Sequence, residues 1–221
     1  MTRNYKIAPS ILSADFARLG DEIRRVEAAG ADLIHFDVMD GHFVPNLSIG
    51  IPVLKSVRAI TRLPLDAHLM IEHPERYLKP FVEAGADSLS VHVEVCADLP
   101  AVAAAIHALG ARAAIAINPE TPPDRVLAAA PHFDMILVMS VHPGFGGQSF
   151  IPDSLARLRL IRADLDRRGL ALDLQVDGGI KADNIAEVAR AGANVFVSGS
   201  GIFGHPDYAA IIRRMRQQAT A

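Results

Sequence analysis

Four short apolar runs in this chain are interrupted by polar residues at every second position. In LIHFDVMD (33–40), Ile34, Phe36 and Val38 alternate with His35, Asp37 and Met39, and LDAHLM (65–70) puts Asp66, His68 and Met70 in one phase. SLSVHVE (88–94) does the same with Ser88, Ser90, His92 and Glu94, and LDLQVDGG (172–179) with Asp173, Gln175 and Asp177. A period of two is the period of a strand, so each polar set shares one face. Charges buried on such a face cost several kcal/mol each unless they are paired or bind a metal. Two imidazoles and two carboxylates, His35, His68, Asp37 and Asp177, suit a borderline divalent ion: zinc, iron(II), manganese or cobalt, one per subunit.

Glycine carries a second signal. Of 16 glycines, eight fall in HPGFGGQ (142–148), VDGGI (176–180) and SGSGIFG (198–204). Loops of this kind hold phosphate through backbone N–H groups, and the candidates are Gly144, Phe145, Gly146, Gly147, Gly178, Gly179, Gly199 and Ser200. No Lys or Arg lies in the three segments, so amide dipoles rather than a side-chain cation would meet the anion. Met39, Met70 and Met139 each close an apolar run, and three methionines at one level would make an apolar collar that keeps water from a reactive intermediate.

The elements that must position these residues show in a repeat. AAGADLIHFDV (28–38), EAGADSLSVHV (83–93), ALGARAAIAIN (108–118) and RAGANVFVSGS (190–200) each read as helix end, glycine cap, strand. Their glycines are 55, 25 and 82 residues apart, close to two, one and three units of the 27.6 residues obtained by dividing 221 by eight. Further apolar runs begin near Ile7, Leu63, Met135 and Leu172, which makes eight strands alternating with helices. The expectation is an α/β fold, a closed (β/α)8 TIM barrel occupying residues 1–221 as a single domain. An open doubly wound sheet is the alternative, but SILSADF (10–16) after the first strand lacks the dinucleotide-binding glycines. In a barrel the carboxyl ends of the strands build the active site, where His35, Asp37, His68 and Asp177 would converge.

Composition excludes several partners. With 22 Lys and Arg against 25 Asp and Glu the net charge is −3, and no basic cluster offers a surface for nucleic acid or a membrane. The longest uncharged stretch, Met135 to Pro152, contains two prolines and three glycines and cannot span a bilayer as a helix. Cys96 has no internal partner and the first residues carry no long apolar core, so the chain reads as cytoplasmic.

SILSADF, HFDVMDGHFVPN, HLMIEHPERY, INPETP, MSVHPGFGGQSF, VDGGI and VSGSGIFG, in this order over about residues 8 to 204, resemble the signature segments of the ribulose-phosphate 3-epimerase family. The resemblance implies a barrel of the ribulose-phosphate-binding type, an isomerase of carbohydrate metabolism and the pentose phosphate pathway. It implies a divalent metal on His35, Asp37, His68 and Asp177, with Asp37 and Asp177 as acid and base, Ser10 and His68 against the substrate, and the glycine loops on its phosphate. The implied reaction interconverts D-ribulose 5-phosphate and D-xylulose 5-phosphate at carbon 3 through a metal-stabilised enediolate, in a homo-oligomer, dimer or hexamer. The chain departs from the family pattern at VCADLPAVAAAIHALG (95–110), where a His-rich helix start is expected; that stretch belongs to the outer shell.

The chemistry agrees. Epimerisation beside a ketone removes a proton from one face and returns one to the other, so two carboxyl groups must flank the carbon. Strands two and seven are expected on opposite sides of the ring, with Asp37 on one and Asp177 on the other. A six-carbon ketose-phosphate epimerase, a decarboxylase or synthase on a related barrel, and a sugar-phosphate sensor are the competing readings. His68 and the collar methionines favour an epimerase over the decarboxylase or synthase, and the pair of carboxylates disfavours the sensor; the six-carbon epimerase is the nearest competitor. His92 ends its strand on the inward face, behind the ligands, whereas His42, His73 and His142 fall in loops and His107, His132 and His205 in ordinary helix or loop positions.

Overall fold

The computed structural model describes residues 4–221; residues 1–3 of the expected domain lie outside the described part. Strand and helix alternate along the chain: β1 Lys6–Pro9, α1 Leu19–Ala28, β2 Ile34–Met39, α2 Ile51–Arg58, β3 Leu65–Met70, α3 Leu78–Glu83, β4 Ser88–His92 and α4 Leu99–Ala108. They continue with β5 Arg112–Ile117, α5 Asp124–Ala129, β6 Met135–Met139, α6 Ser154–Arg167, β7 Asp173–Asp177, α7 Ile185–Arg190, β8 Val195–Ser198, the single turn α8 Ser200–Phe203, and α9 Tyr208–Ala219. Each strand pairs in parallel with its sequence neighbours, β1 pairs with β8, and a Ser10–His35 bridge joins β1 to β2 and closes the ring. This is the (β/α)8 TIM barrel.

Local signals place the elements. Asp98 starts α4 by accepting the Ala101 N–H at 3.0 Å, with Pro100 in the first turn where no amide donor is needed. Gly85 and Gly192 follow helix ends at φ +112° and +116°, and a Cβ on them would stand 2.4 Å from Arg58 Cγ and 2.5 Å from Arg162 Cβ. Both a left-handed backbone and a close approach therefore require glycine there. Strand four stops at His92, short of the Glu94 expected on it, because the chain turns and the Val95 N–H bonds back to the His92 carbonyl.

The alternation divides the strands as expected. Ile34, Phe36 and Val38 join Leu65, Leu69, Leu89, Val91, Ile115, Ile136, Val176 and Phe196 with helix residues such as Ile23, Leu54, Ile106, Leu158, Val188 and Ile212 in one core between sheet and helices. The opposite faces turn His35, Asp37, Asp66, His68, Ser88, Ser90, His92 and Gln175 into the lumen, all of them buried. No helix among the described residues is long and apolar enough to cross a membrane.

Candidate active site

Parallel register sets the neighbours inside the lumen. In the β2–β3 pair His35 lies beside Asp66 and Asp37 beside His68, so each histidine finds a carboxylate on the adjoining strand. His35 Nδ1 lies 2.9 Å from Asp66 Oδ2, and Asp66 also accepts from Ser88 Oγ at 2.6 Å and Gln175 Nε2 at 2.7 Å. His35 Nε2 then points at the mouth with no hydrogen-bond partner, 3.3 Å from Asp37 Oδ1 and 3.8 Å from Asp177 Oδ2. His68 Nδ1 approaches the same oxygens, at 3.1 Å and 3.8 Å.

One ligand atom each from His35, Asp37, His68 and Asp177 lies within 4.8 Å of the others, a buried cluster that can bind a metal ion. A buried imidazole nitrogen left without a hydrogen-bond partner beside two carboxylates is what a closed core avoids and a place where a divalent cation can take the position of a proton. Two nitrogens and two oxygens fit a borderline metal.

The two carboxyl groups titrate in opposite directions. Burial raises the Asp37 carboxyl, but the imidazoles of His35 and His68 outweigh it and hold it far below the usual carboxylate range. Asp177 is pushed up to about 7 by burial and by the Asp37 charge. Burial works against a proton on His35, yet Asp37 and Asp66 override it and raise its pKa; burial lowers that of His68 and takes that of His92 down to about 4. Behind His92, Glu94 is lifted by burial but pulled down to about 2 by hydrogen bonds from His92, Thr121 and the Asn118 amide.

Above the cluster opens a narrow cavity at the carboxyl ends of the strands. Its lining includes Ser10, Asp37, Met39, Met70, Met139, Gly144, Phe145, Gly146, Gly147, Asp177, Gly178, Gly179, Gly199 and Ser200, while His35 and His68 lie fully buried beneath. Ser10 Oγ donates to Asp37 Oδ2 at 2.5 Å and fixes that carboxylate. Met39 and Met70 pack together with Val44, Met139 belongs to a separate group with Leu137 and Val141, and all three line the cavity. Gly147 adopts φ +76° and Gly179 φ +66°, the latter with Phe150 N only 2.4 Å from where a Cβ would be, so the loops are shaped by backbone that only glycine provides. Asn46 Nδ2 donates to the Gly144 carbonyl at 2.7 Å and ties the loop after β2 to the loop after β6.

One expectation is corrected. Strands β2 and β7 are not opposite: counted through β1 and β8 they are three places apart. The carboxylates approach the same imidazoles because both strands turn their side chains into a narrow lumen. Sequence reasoning placed Asp66, Ser88, Gln175 and Glu94 on the inward face but gave them no partners; the register of adjoining strands brings His35 and Ser88 to Asp66, Gln175 reaches it across the lumen, and Glu94, past the end of β4, meets His92 and the Asn118 N–H. It passed over Leu12, Ser13, Val141, Pro143, Gln148, Ile180 and Val197, which also line the cavity. Most of these sit beside the glycine and SILSADF segments, which is the signal that could have found them.

Comparison with known proteins agrees with this geometry. The model of the ribulose-phosphate 3-epimerase family matches residues 6–203. The chain is 50% identical over 215 residues to ribulose-phosphate 3-epimerase of Mycobacterium tuberculosis, covering 97% of this chain and 93% of the relative. It is 49% identical over 218 residues to that of Escherichia coli, covering 98% and 96%. Among solved structures it resembles 3-hexulose-6-phosphate synthase from Salmonella typhimurium, with TM-score 0.73, 18% identity and coverage of 97% and 98%. It also resembles 3-keto-L-gulonate-6-phosphate decarboxylase from Vibrio cholerae, with TM-score 0.74, 15% identity and coverage of 99% and 98%. At such identities these two likenesses speak for the barrel alone.

Proposed function

The chain belongs to the ribulose-phosphate 3-epimerase family, an isomerase family acting on pentulose phosphates, and on that premise we propose how this site performs the epimerisation. The substrate pair is D-ribulose 5-phosphate and D-xylulose 5-phosphate, interconverted at carbon 3. The observation that carries the reading is the pair of aspartates against two buried imidazoles, with Asp37 held ionised and Asp177 raised to about 7. Two carboxyl groups whose surroundings push their proton affinities apart make an acid and a base at one carbon.

His35 Nε2, His68 Nδ1, Asp37 and Asp177 would hold the divalent metal. When bound, it supplies Lewis-acid polarisation of the ketose oxygens and stabilises negative charge developing on them. Asp37, steadied by Ser10, takes the carbon 3 proton from one face, and Asp177 returns a proton to the other; the roles exchange in the reverse direction. Ser10 orients the ketose, His68 lies beneath the cavity and reaches it only through the metal it would hold, and Gly144, Phe145, Gly146, Gly147, Gly178, Gly179, Gly199 and Ser200 seat the phosphate on backbone amides. Met39, Met70 and Met139 keep water off the carbanionic carbon between the two transfers.

The test is kcat/KM for D-ribulose 5-phosphate against a six-carbon ketose 6-phosphate, together with deuterium incorporation at carbon 3 in heavy water. Preference for the pentulose with exchange at carbon 3 supports the reading. A higher kcat/KM for the six-carbon ketose would replace the substrate, and no exchange with metal supplied would leave a sugar-phosphate sensor.

A further inference from the structure

The two metal-facing histidines are backed by different devices. Behind His35 stands the Asp66 carboxylate, which can only accept, so Nδ1 carries a proton and Nε2 is the nitrogen turned to the metal site. Behind His68 stands another imidazole: His68 Nε2 lies 2.8 Å from His92 Nε2. Two ring nitrogens at that distance share one proton, and the contact alone does not say which ring owns it. Both rings are fully buried, and the Phe43 ring packs 4.7 Å from that of His92, centroid to centroid.

The answer lies one residue further out. His92 Nδ1 is 3.1 Å from Glu94 Oε2, and a carboxylate accepts only. His92 must therefore carry its proton on Nδ1 and offer a bare Nε2, so His68 donates from Nε2 and keeps Nδ1 bare, facing Asp37 and Asp177. The relay has an opponent: Asp37 Oδ1, 3.1 Å from His68 Nδ1, would by itself hold the proton on that nitrogen. Glu94 is fixed in turn, because its other oxygen accepts the Asn118 N–H at 2.9 Å and Arg157 Nη2 grips the carbonyls of Asn118 and Thr121 at 2.9 and 2.7 Å.

The geometry points to Glu94, acting through His92, as a positioning residue that selects the tautomer of His68 and so makes its Nδ1 a metal ligand. This rests on the proposed metal site and adds to it a proton-order relay of two residues that touch neither metal nor substrate.

Glu94→Gln tests the relay with almost no change of shape. A glutamine has one acceptor and one donor; with its carbonyl on the Asn118 N–H, its NH2 meets His92 Nδ1, which must then accept. The proton order reverses along the chain and His68 acquires a proton on Nδ1. Zinc affinity of the full-length protein, measured by chelator competition, should fall about 10- to 100-fold, the range for outer-shell partners of metal-bound histidines. In His92→Gln the side-chain carbonyl can accept from His68 Nε2 without help from Glu94, so adding Glu94→Gln to it should cost less than about threefold, a non-additive pair. The 15N shifts of the His68 ring in the zinc-loaded parent should report a protonated Nε2. Unchanged affinity in Glu94→Gln, an equal loss in both backgrounds, or a protonated Nδ1 on His68 in the zinc-loaded parent would overturn the relay. Failure of the parent to bind zinc, iron(II), manganese or cobalt would instead overturn the metal site itself, and the relay with it.

Discussion

Replacing Asp177 with asparagine separates the proton from the fold. The Asp177 carboxylate stands 3.8 Å from both His35 Nε2 and His68 Nδ1, beyond hydrogen-bond reach, and its side chain keeps 16% of its surface at the mouth. An asparagine fills the same space, breaks no short contact and relieves repulsion from the Asp37 charge that helps raise the Asp177 pKa. The cost to folding should stay within about 0.5 kcal/mol, a shift of about 1–2 °C in a chain of this size. An amide cannot take up or return a proton, and a positioned acid or base contributes about 10²–10⁴ in rate, or roughly 2.7–5.4 kcal/mol of barrier. The coupled assay, run at metal saturation with occupancy checked, should show kcat reduced at least about 100-fold. Proton NMR in heavy water adds a sharper reading. The epimer whose carbon 3 proton faces Asp37 should still exchange without inverting, while the other keeps its proton. Turnover within tenfold of the parent, or equal exchange from both epimers, would refute the two-aspartate mechanism.

Three further outcomes follow from the same geometry. Chelation should abolish turnover, with activity restored by zinc, iron(II), manganese or cobalt; a metal at a thousand times its Kd adds about 4 kcal/mol to stability, or roughly 8–16 °C in Tm, so an unmoved Tm would argue against His35, Asp37, His68 and Asp177 as ligands. Gly179→Ala drives a Cβ to 2.4 Å from Phe150 N at φ +66°, and scanning calorimetry should show a loss of about 2–4 kcal/mol from overpacking and left-handed strain together. Gly147→Ala meets nothing within 4 Å at φ +76°, so it should lose only about 1–2 kcal/mol yet raise KM with kcat kept, because the methyl group intrudes where the phosphate approaches the amides.

The barrel was legible because its punctuation is steric. Gly85 and Gly192 recur where a helix end crosses an arginine stem of the preceding helix, whereas Gly30 and Gly110 have open space and recur for their φ of +90° and +84° alone. Two different causes wrote the same residue at the same point of the repeat. The inward set was legible because alternation decides the face of a strand. Alternation does not decide the level at which neighbouring strands meet, and that is why the Asp66 contact to His35 and the His92 contact to His68 were out of reach. The expected opposition of β2 and β7 leaves out the closure of the ring: once β1 meets β8, only those two strands separate them.

The polar lumen is possible because the apolar core lies elsewhere. The large cluster joins the outward faces of the strands to the helices, while inward apolar contacts are confined to small groups such as Ala8, Leu33, Val195 and Val197. Folding therefore draws little on the lumen, and the lumen can hold groups that would weaken an ordinary core. The condition is that each charge be met, as the three donors on Asp66 meet its carboxylate. Among the described residues three lumen atoms are left without a hydrogen-bond partner, Ser90 Oγ, Gln175 Oε1 and His35 Nε2, and of these it is His35 Nε2 that faces Asp37 and Asp177 at the cavity floor. A divalent metal held by the cluster would give that nitrogen its partner, so metal affinity and the packing of Asp66, Ser88 and Gln175 behind His35 should rise and fall together.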